Sequence, residues 1–140
     1  MLVGEIMGSA MWLYDIFTTP VGTVGIVWHR DKKGMARLAR VFLPQKRARL
    51  NGSIKNYFPM MIKGEWRRLR RDICKFLKGQ TVDFSYVLLF LEQLGAFQKK
   101  VYSYERHIPR GTVICYQHLA KAIGRRTAAR AVGQVQAANP

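Results

Sequence analysis

The feature that most constrains the fold is the apolar pattern around Gly124, in the last third of the chain. Three apolar residues share one side of a helix over 116–123: Leu119, Ala120 and Ile123. Gly124 ends that helix, and Thr127 is placed to cap a second one. The second helix turns four residues inward: Ala128, Ala131, Val132 and Val135. Two helices joined by a short glycine-containing turn predict a helix-turn-helix.

The first half of the chain has a different period. Residues 12–18 and 23–29 alternate in the manner of strands, and the Thr19–Gly22 turn joins them into a hairpin. Residues 30–34 form a polar turn, and 35–43 are a candidate third strand. We expect residues 44–61 to form a basic loop and 82–91 to be an apolar run without clear period. The fold class is therefore α+β, with a small sheet-and-helix domain over 1–94 and a helical domain over 95–140.

Two further helices are predicted between these regions. The first has one apolar face and ends at Gly79; its face comprises Trp66, Leu69, Ile73, Phe76 and Leu77. Its arginines, Arg67, Arg68, Arg70 and Arg71, form a solvated surface or, alternatively, contact phosphate. The second spans 97–106, with Phe97, Val101 and Tyr104 inward. Residues 108–111 break it, and 112–115 are a short extended piece.

The charge of the chain points to a polyanion as its partner. The formal net charge is +16, and no acid follows Glu105. Nucleic acid and an anionic membrane surface both fit this charge alone. No segment resembles a membrane span or a secretory signal, and two cysteines make neither a disulfide framework nor a standard zinc site. We therefore expect a cytoplasmic, nucleoid-associated or nuclear protein without membrane contact.

A family resemblance is carried by residues 97–140. The run Ile108–Val113 is followed by Tyr116–Ala120, by Ile123–Gly124, by Ala128–Gly133, which contains Arg-Ala-Val-Gly, and by Asn139–Pro140. This pattern resembles the O6-alkylguanine-DNA alkyltransferases, the methylated-DNA–protein-cysteine methyltransferases of DNA repair. The Thr19–Gly22 turn, and Asp83-Phe84 after the helix that ends at Gly79, resemble the N-terminal domain of the same family.

The resemblance implies a partner and a set of site residues. The partner is duplex DNA that contains O6-alkylguanine, bound through the minor groove with the damaged nucleotide rotated out. Arg130 would fill the gap left by that nucleotide, which fits the stacking ability of a planar guanidinium. Tyr116 would help to rotate the 3′ phosphate, and Asn139 would be a hinge. The remaining DNA contacts are Arg125, Arg126, Ala129 and Gly133, of which Ala129 and Gly133 let the helix lie close to the groove.

Simpler interpretations of three of these residues stay open. In them Arg130 contacts only a phosphate, Tyr116 is a helix residue packed by its ring, and Asn139 only ends a helix before Pro140.

The chemistry of the family needs a residue that this sequence does not show. The resemblance implies transfer of the alkyl group to a cysteine thiolate activated by histidine. That cysteine lies in a Pro-Cys-His-Arg motif a few residues beyond Asn-Pro, whereas the sequence stops at Pro140. We therefore expect no acceptor, no cofactor and no metal. We also expect either marginal stability or a partner chain, or self-association, that covers an exposed face.

Three alternatives remain open from the sequence alone. If the native protein continues past Pro140, it is an active, suicidal alkyltransferase. Cys115, with His118 and His107 near it in sequence, would be a substitute nucleophile or a metal ligand, although a structural cysteine is the default. Cys74 is expected to be a buried small hydrophobe rather than a reactive thiol. The last alternative is an architectural protein that binds damaged and undamaged DNA equally.

Overall fold

The computed structural model describes residues 10–57 and 60–139. The chain divides into two compact units, with the division between Phe90 and Leu91. The boundary predicted from the sequence lies four residues further on, after residue 94. The first unit holds a mixed sheet and two helices, and the second holds three helices. The predicted α+β class is confirmed.

The sheet is built on a three-stranded antiparallel meander. Strand β1 (Met11–Thr19) pairs with β2 (Gly22–Arg30), and β2 pairs with β3 (Ala36–Gln45). Two short parallel strands, β4 (Ile62–Lys63) and β5 (Leu88–Leu89), complete the order β4-β1-β2-β3-β5. The predicted strands are confirmed. Two residues of the apolar run 82–91 form β5 and pair with β3.

The two turns of the meander follow from their sequences. Gly22 has φ of +124°, a conformation that side chains other than glycine rarely adopt, and the Thr19 hydroxyl donates to its carbonyl at 2.6 Å. In the second turn, the Asp31 carboxylate accepts from the N–H groups of Lys33 and Met35, each at 2.9 Å. The same carboxylate pairs with Arg37 at 3.2 Å, which joins the turn to β3.

One helix lies where a loop was predicted. Helix α1 (Arg47–Tyr57) occupies most of the segment 44–61, so that prediction was wrong. The helix packs through Leu50 and Ile54, both fully buried, on one face of the sheet. These side chains close on Gly25 of β2, where an added Cβ would collide with Leu50 and lie 3.1 Å from Ile54. Packing against a distant glycine, rather than local propensity, stabilises this helix.

The opposite face of the sheet is covered by α2 (Arg67–Leu77). Its Leu69 is buried against Trp28 and Phe17 of the sheet, and Ile73 and Leu77 pack around them. Gly79 follows with φ of +88°, and a pair of backbone hydrogen bonds, Gln80 to Lys75 and Gly79 to Phe76, forms a Schellman end. The predicted helix and its glycine stop are confirmed.

The second unit has its own apolar core. Helices α3 (Ala96–Glu105), α4 (Tyr116–Ala122) and α5 (Ala129–Ala137) enclose Val101, Leu119 and Val132, all fully buried or nearly so. Tyr104 was predicted to point inward, but it is 40% exposed. Its place is taken by Tyr102, whose hydroxyl donates to the Val135 carbonyl at 2.9 Å.

Residues 112–115 form no strand, and Val113 is 94% exposed. The extended piece predicted there pairs with no strand among the described residues, and its last residue, Cys115, has extended backbone angles with φ of −85° and ψ of 158°.

Candidate nucleic-acid interface

The turn between α4 and α5 is fixed by its backbone. Gly124 has φ of +76°, and its N–H donates to the Lys121 carbonyl at 3.1 Å. The Arg125 N–H donates to the Ala120 carbonyl at 2.8 Å, which completes a second Schellman end. The Ala128 N–H then donates to the Arg125 carbonyl at 2.9 Å and starts the next helix. The helix-turn-helix predicted from the sequence thus has a short connection held by three backbone hydrogen bonds.

The start of α5 differs from the sequence prediction by one residue. Ala128 occupies the capping position, so Thr127 does not cap the helix, and no side chain bonds to the first N–H groups. Three of the four residues predicted to face inward do so, with Val132 and Val135 buried and Ala128 packed beside them, whereas Ala131 is half-buried outside that cluster. This register places Arg130 in the first turn of α5, exposed to solvent.

Tyr116 of α4 packs against Gly133 of α5. Tyr116 is the first residue of α4 and its ring lies against Gly133 of α5. A Cβ on Gly133 would lie 3.2 Å from both Cδ2 and Cε2 of that ring, closer than ordinary van der Waals contact. Even so, Tyr116 is 51% exposed. The absence of a side chain at Gly133 therefore lets the tyrosine ring pack against α5. The sequence alone predicted for Gly133 only a close approach of the helix to DNA.

Three arginines on and before α5 lack acidic partners. Arg125, Arg126 and Arg130 are exposed, and none forms an ion pair with another described residue. No acid follows Glu105 in the chain, so no carboxylate along these two helices lowers their positive potential. Exposed and uncompensated guanidinium groups are suited to bind phosphate.

The other two predicted site residues lie along α5 and just beyond it. Ala129 is the first residue of the helix and is half-buried. Asn139 lies past its end, exposed, with its N–H donating to the Gln136 carbonyl at 3.2 Å. Its partner in the Asn-Pro pair, Pro140, lies outside the described residues.

The arginine-rich face of α2 has acidic and aromatic partners. Arg67 and Arg70 pair with Glu65, and Arg71 pairs with Asp72 at 3.2 Å. Arg68 lies over the Tyr86 ring at 3.7 Å from its centroid. These arginines are thus partly neutralised by neighbouring side chains, while Arg67 and Arg68 stay largely exposed, as expected for a solvated surface.

Two carboxylates in this network have shifted pKa values. The hydrogen bond donated by Tyr86, at 2.9 Å, lowers the pKa of Asp72, and burial beside that carboxylate raises the pKa of Tyr86 to about 12. Asp15 is buried in β1, and its desolvation raises its pKa even though Arg70 lies 3.9 Å away.

The two thiols occupy different surroundings. Cys74 is half-buried on α2, with its Sγ 3.9 Å from the Thr18 carbonyl, in line with a structural role. Cys115 is exposed at the N-terminal end of α4 rather than on a strand. Among residues 10–57 and 60–139, no group of three or more His, Cys, Asp or Glu is placed to hold a metal ion. In the same ranges no helix has the length and apolar character needed to cross a membrane.

A shallow groove of about 450 Å³ lies between α3 and α4. Its lining combines basic, hydroxyl and apolar side chains: Lys99, Lys100, Ser103, Tyr104, Ala122 and Ile123. The sequence did not indicate this groove, because Tyr104 was predicted to lie in the core.

Comparison with known proteins points to one family. Residues 96–140 match the family described as 6-O-methylguanine DNA methyltransferase, DNA binding domain. Among solved structures, the chain is similar to OGT of Mycobacterium tuberculosis in complex with DNA, with a TM-score of 0.66 and 20% identity. That similarity covers 91% of this chain and 71% of the other. No curated protein matches the chain significantly. These findings agree with the resemblance drawn from the sequence.

Proposed function

We propose that this chain, whose residues 96–140 match the DNA-binding domain family of the O6-alkylguanine-DNA alkyltransferases, binds duplex DNA that carries O6-alkylguanine. The protein is then expected to be located where the DNA of the cell is. The observation that carries the proposal is the coincidence of the family match with the exposed, acid-free surface formed by Arg125, Arg126 and Arg130.

The proposed mode of binding places the start of α5 against the minor groove. Arg130, in the first turn of that helix and without an acidic partner, enters the duplex where the alkylated nucleotide has rotated out. Rotation costs a few kcal/mol of stacking, and the planar guanidinium recovers part of it by stacking on the neighbouring bases. Arg125 and Arg126 bind phosphates beside this point, and the half-buried Ala129 keeps the surface of the helix low.

Tyr116 acts on the 3′ phosphate of the rotated nucleotide in this proposal. Its ring lies against Gly133, and about half of the residue is exposed, so the side chain contacts α5 and is still accessible to a phosphate. Asn139, just beyond α5, is the hinge at the C-terminal end of the recognition helix.

The test is a comparison of two duplexes that differ only in one methyl group on guanine O6. We expect Arg130→Ala to reduce the preference for the O6-methylguanine duplex, because the mutant cannot fill the gap. Lys121→Ala is the matched control, since Lys121 is an exposed cation on α4. It should weaken binding of both duplexes alike. A mutant and a wild type with the same lesion preference would overturn the Arg130 role.

A second measurement tests alkyl transfer by the two thiols. Neither Cys74 nor Cys115 lies in a Pro-Cys-His-Arg motif, and Cys74 is half-buried beside Thr18. We expect the intact mass of the chain to stay unchanged after incubation with the O6-methylguanine duplex. A gain of one methyl group that is lost in Cys115→Ser would instead make Cys115 an acceptor.

A further inference from the structure

Helix α1 presents cations that nothing in the described chain neutralises. The segment 46–57 contains Lys46, Arg47, Arg49 and Lys55 and no acid. Arg47 turns toward the sheet and donates to the Ile16 carbonyl at 3.3 Å. The other three side chains are exposed and form no ion pair among the described residues.

The helix on the other face of the sheet shows that this is not a general property of the unit. In α2 the cations Arg67, Arg70 and Arg71 have acidic partners within 4 Å, supplied by Glu65 and Asp72. Among the described residues of this unit, three of the five acids, Asp15, Glu65 and Asp72, thus pair with arginines of α2, and none pairs with a cation of α1. A basic surface without acids attracts a polyanion, whereas a neutralised one does not.

The orientation of α1 defines which residues a partner would meet. Leu50 and Ile54 face the sheet, so the helical period places Ala48 and Gly52 on the outward side, with Arg49 and Lys55 on its two flanks. A Cβ on Gly52 would meet nothing within 4 Å, so the fold does not require this glycine. In a helix interior it costs about 1 kcal/mol relative to alanine. The outward surface of α1 therefore has small residues, Ala48 and Gly52, at its centre and positively charged side chains on both flanks.

We propose that this surface of α1 binds the sugar-phosphate backbone of duplex DNA, without reading bases. The inference rests on the proposed function in one respect, that DNA is the polyanion the chain meets. Arg49 and Lys55 are about 9 Å apart along the helix axis. That distance is comparable to the axial span of about three phosphates of one strand. The low centre formed by Ala48 and Gly52 lets the backbone lie between them.

The first experiment compares two double variants with the same loss of charge. Arg49→Gln with Lys55→Gln removes the flanking cations, and Lys32→Gln with Lys33→Gln removes two exposed cations from the turn between β2 and β3. Binding of an undamaged duplex is measured against salt concentration. We expect the α1 variant to bind about tenfold more weakly at physiological salt, and the slope of log K against log salt to fall by about 1.8, for two lost phosphate contacts.

The control variant should change far less, and the α1 variant should lose affinity equally for undamaged and O6-methylguanine duplexes. Equal losses in the two double variants would mean that net charge alone matters and would overturn the proposal. Wild-type affinity in the α1 variant would also overturn it, and would leave the surface to some other anionic partner. Failure of the proposed function is seen separately, as an unchanged lesion preference in Arg130→Ala.

A second variant separates binding from folding. Gly52→Gln places a long side chain at the low centre of the surface and improves helix propensity, so its thermal stability should rise. We expect it nonetheless to bind the undamaged duplex several-fold more weakly. Higher stability together with wild-type affinity would contradict close approach of the DNA backbone to α1.

Discussion

Gly133 and Tyr116 are in contact across α4 and α5, and the contact accounts for the glycine at this helix position. A Cβ at position 133 would crowd the Tyr116 ring. Glycine in the middle of a helix lowers its stability, and contact with the ring accounts for its presence here. Contact between the two helices thus places an exposed aromatic side chain beside the start of the proposed interface.

The pair can be tested by a double-mutant cycle. In a Tyr116→Ala background, Gly133→Ala should stabilise the chain by about 0.5–1 kcal/mol through helix propensity. In the wild-type background the new methyl group meets the ring, so the gain should be smaller or become a loss. Urea unfolding measures both differences. An identical change in the two backgrounds would show that the ring does not rest on Gly133.

The hydrogen bond between Tyr86 and Asp72 predicts a dependence of stability on pH. It lowers the pKa of Asp72 below the ordinary 3.8, so its contribution is fully present above that pH and is lost as pH falls through the lower folded-state pKa. Tyr86→Phe should lower the free energy of unfolding by about 1 kcal/mol at neutral pH.

The difference between the mutant and wild type should shrink under strong acid. Raising the pH acts on the tyrosine: its folded-state pKa is raised to about 12, so its contribution is present below pH 10 and is lost on the way to the higher value. Unfolding free energies measured across this range should give a plateau around neutrality. A difference that is constant into strong acid would place the effect of Tyr86 in packing alone.

At the scale of elements, the packing of α1 on Gly25 was the part that sequence reasoning missed. The segment carries a glycine, two asparagines and a serine, all poor helix formers, and only Leu50 and Ile54 mark an apolar side. The helix packs on sheet residues far from it in sequence, and Gly25 leaves room for its side chains, neither of which a local pattern reveals. In contrast, α2 and α4 were predictable because a wide apolar face and a glycine stop agree in each.

Tyr102 and Tyr104 show the same limit in a smaller element. The two residues lie about 200° apart around the helix, and the spacing of Phe97 and Val101 favours Tyr104 as the inward one. Tyr102 is buried instead, with its hydroxyl donating to the Val135 carbonyl of another helix, a contact that no local pattern reveals. For the candidate site, the family motif predicted which residues belong to it. The contact between Tyr116 and Gly133 and the groove between α3 and α4 could be found only from the structure.

The closure of α1 on the sheet can be tested with two glycine substitutions. Gly25→Ala puts a Cβ into Leu50 and near Ile54, so it should destabilise the chain by about 1–3 kcal/mol. Gly52→Ala meets open space on the same helix and should stabilise the chain by up to about 1 kcal/mol. Thermal unfolding of the two variants compares them directly. Equal effects would contradict close packing at Gly25.

At the scale of the whole molecule, the net charge of +16 predicts a strong dependence of DNA binding on salt. Each phosphate contact releases a counterion, so the logarithm of the affinity should fall linearly with the logarithm of salt concentration. Fluorescence anisotropy of a labelled undamaged duplex measures the slope. A flat response would contradict phosphate binding by either unit.

The most direct test of the account is whether binding rotates the lesion out of the duplex. A 2-aminopurine placed beside O6-methylguanine becomes more fluorescent when its neighbour leaves the stack. We predict an increase on addition of the wild-type chain, and little increase with Arg130→Ala at protein concentrations that saturate the duplex, because nothing then holds the gap open. Lys121→Ala should behave as wild type does. An equal increase with Arg130→Ala, or no increase with the wild-type chain bound, would contradict lesion recognition by insertion of Arg130.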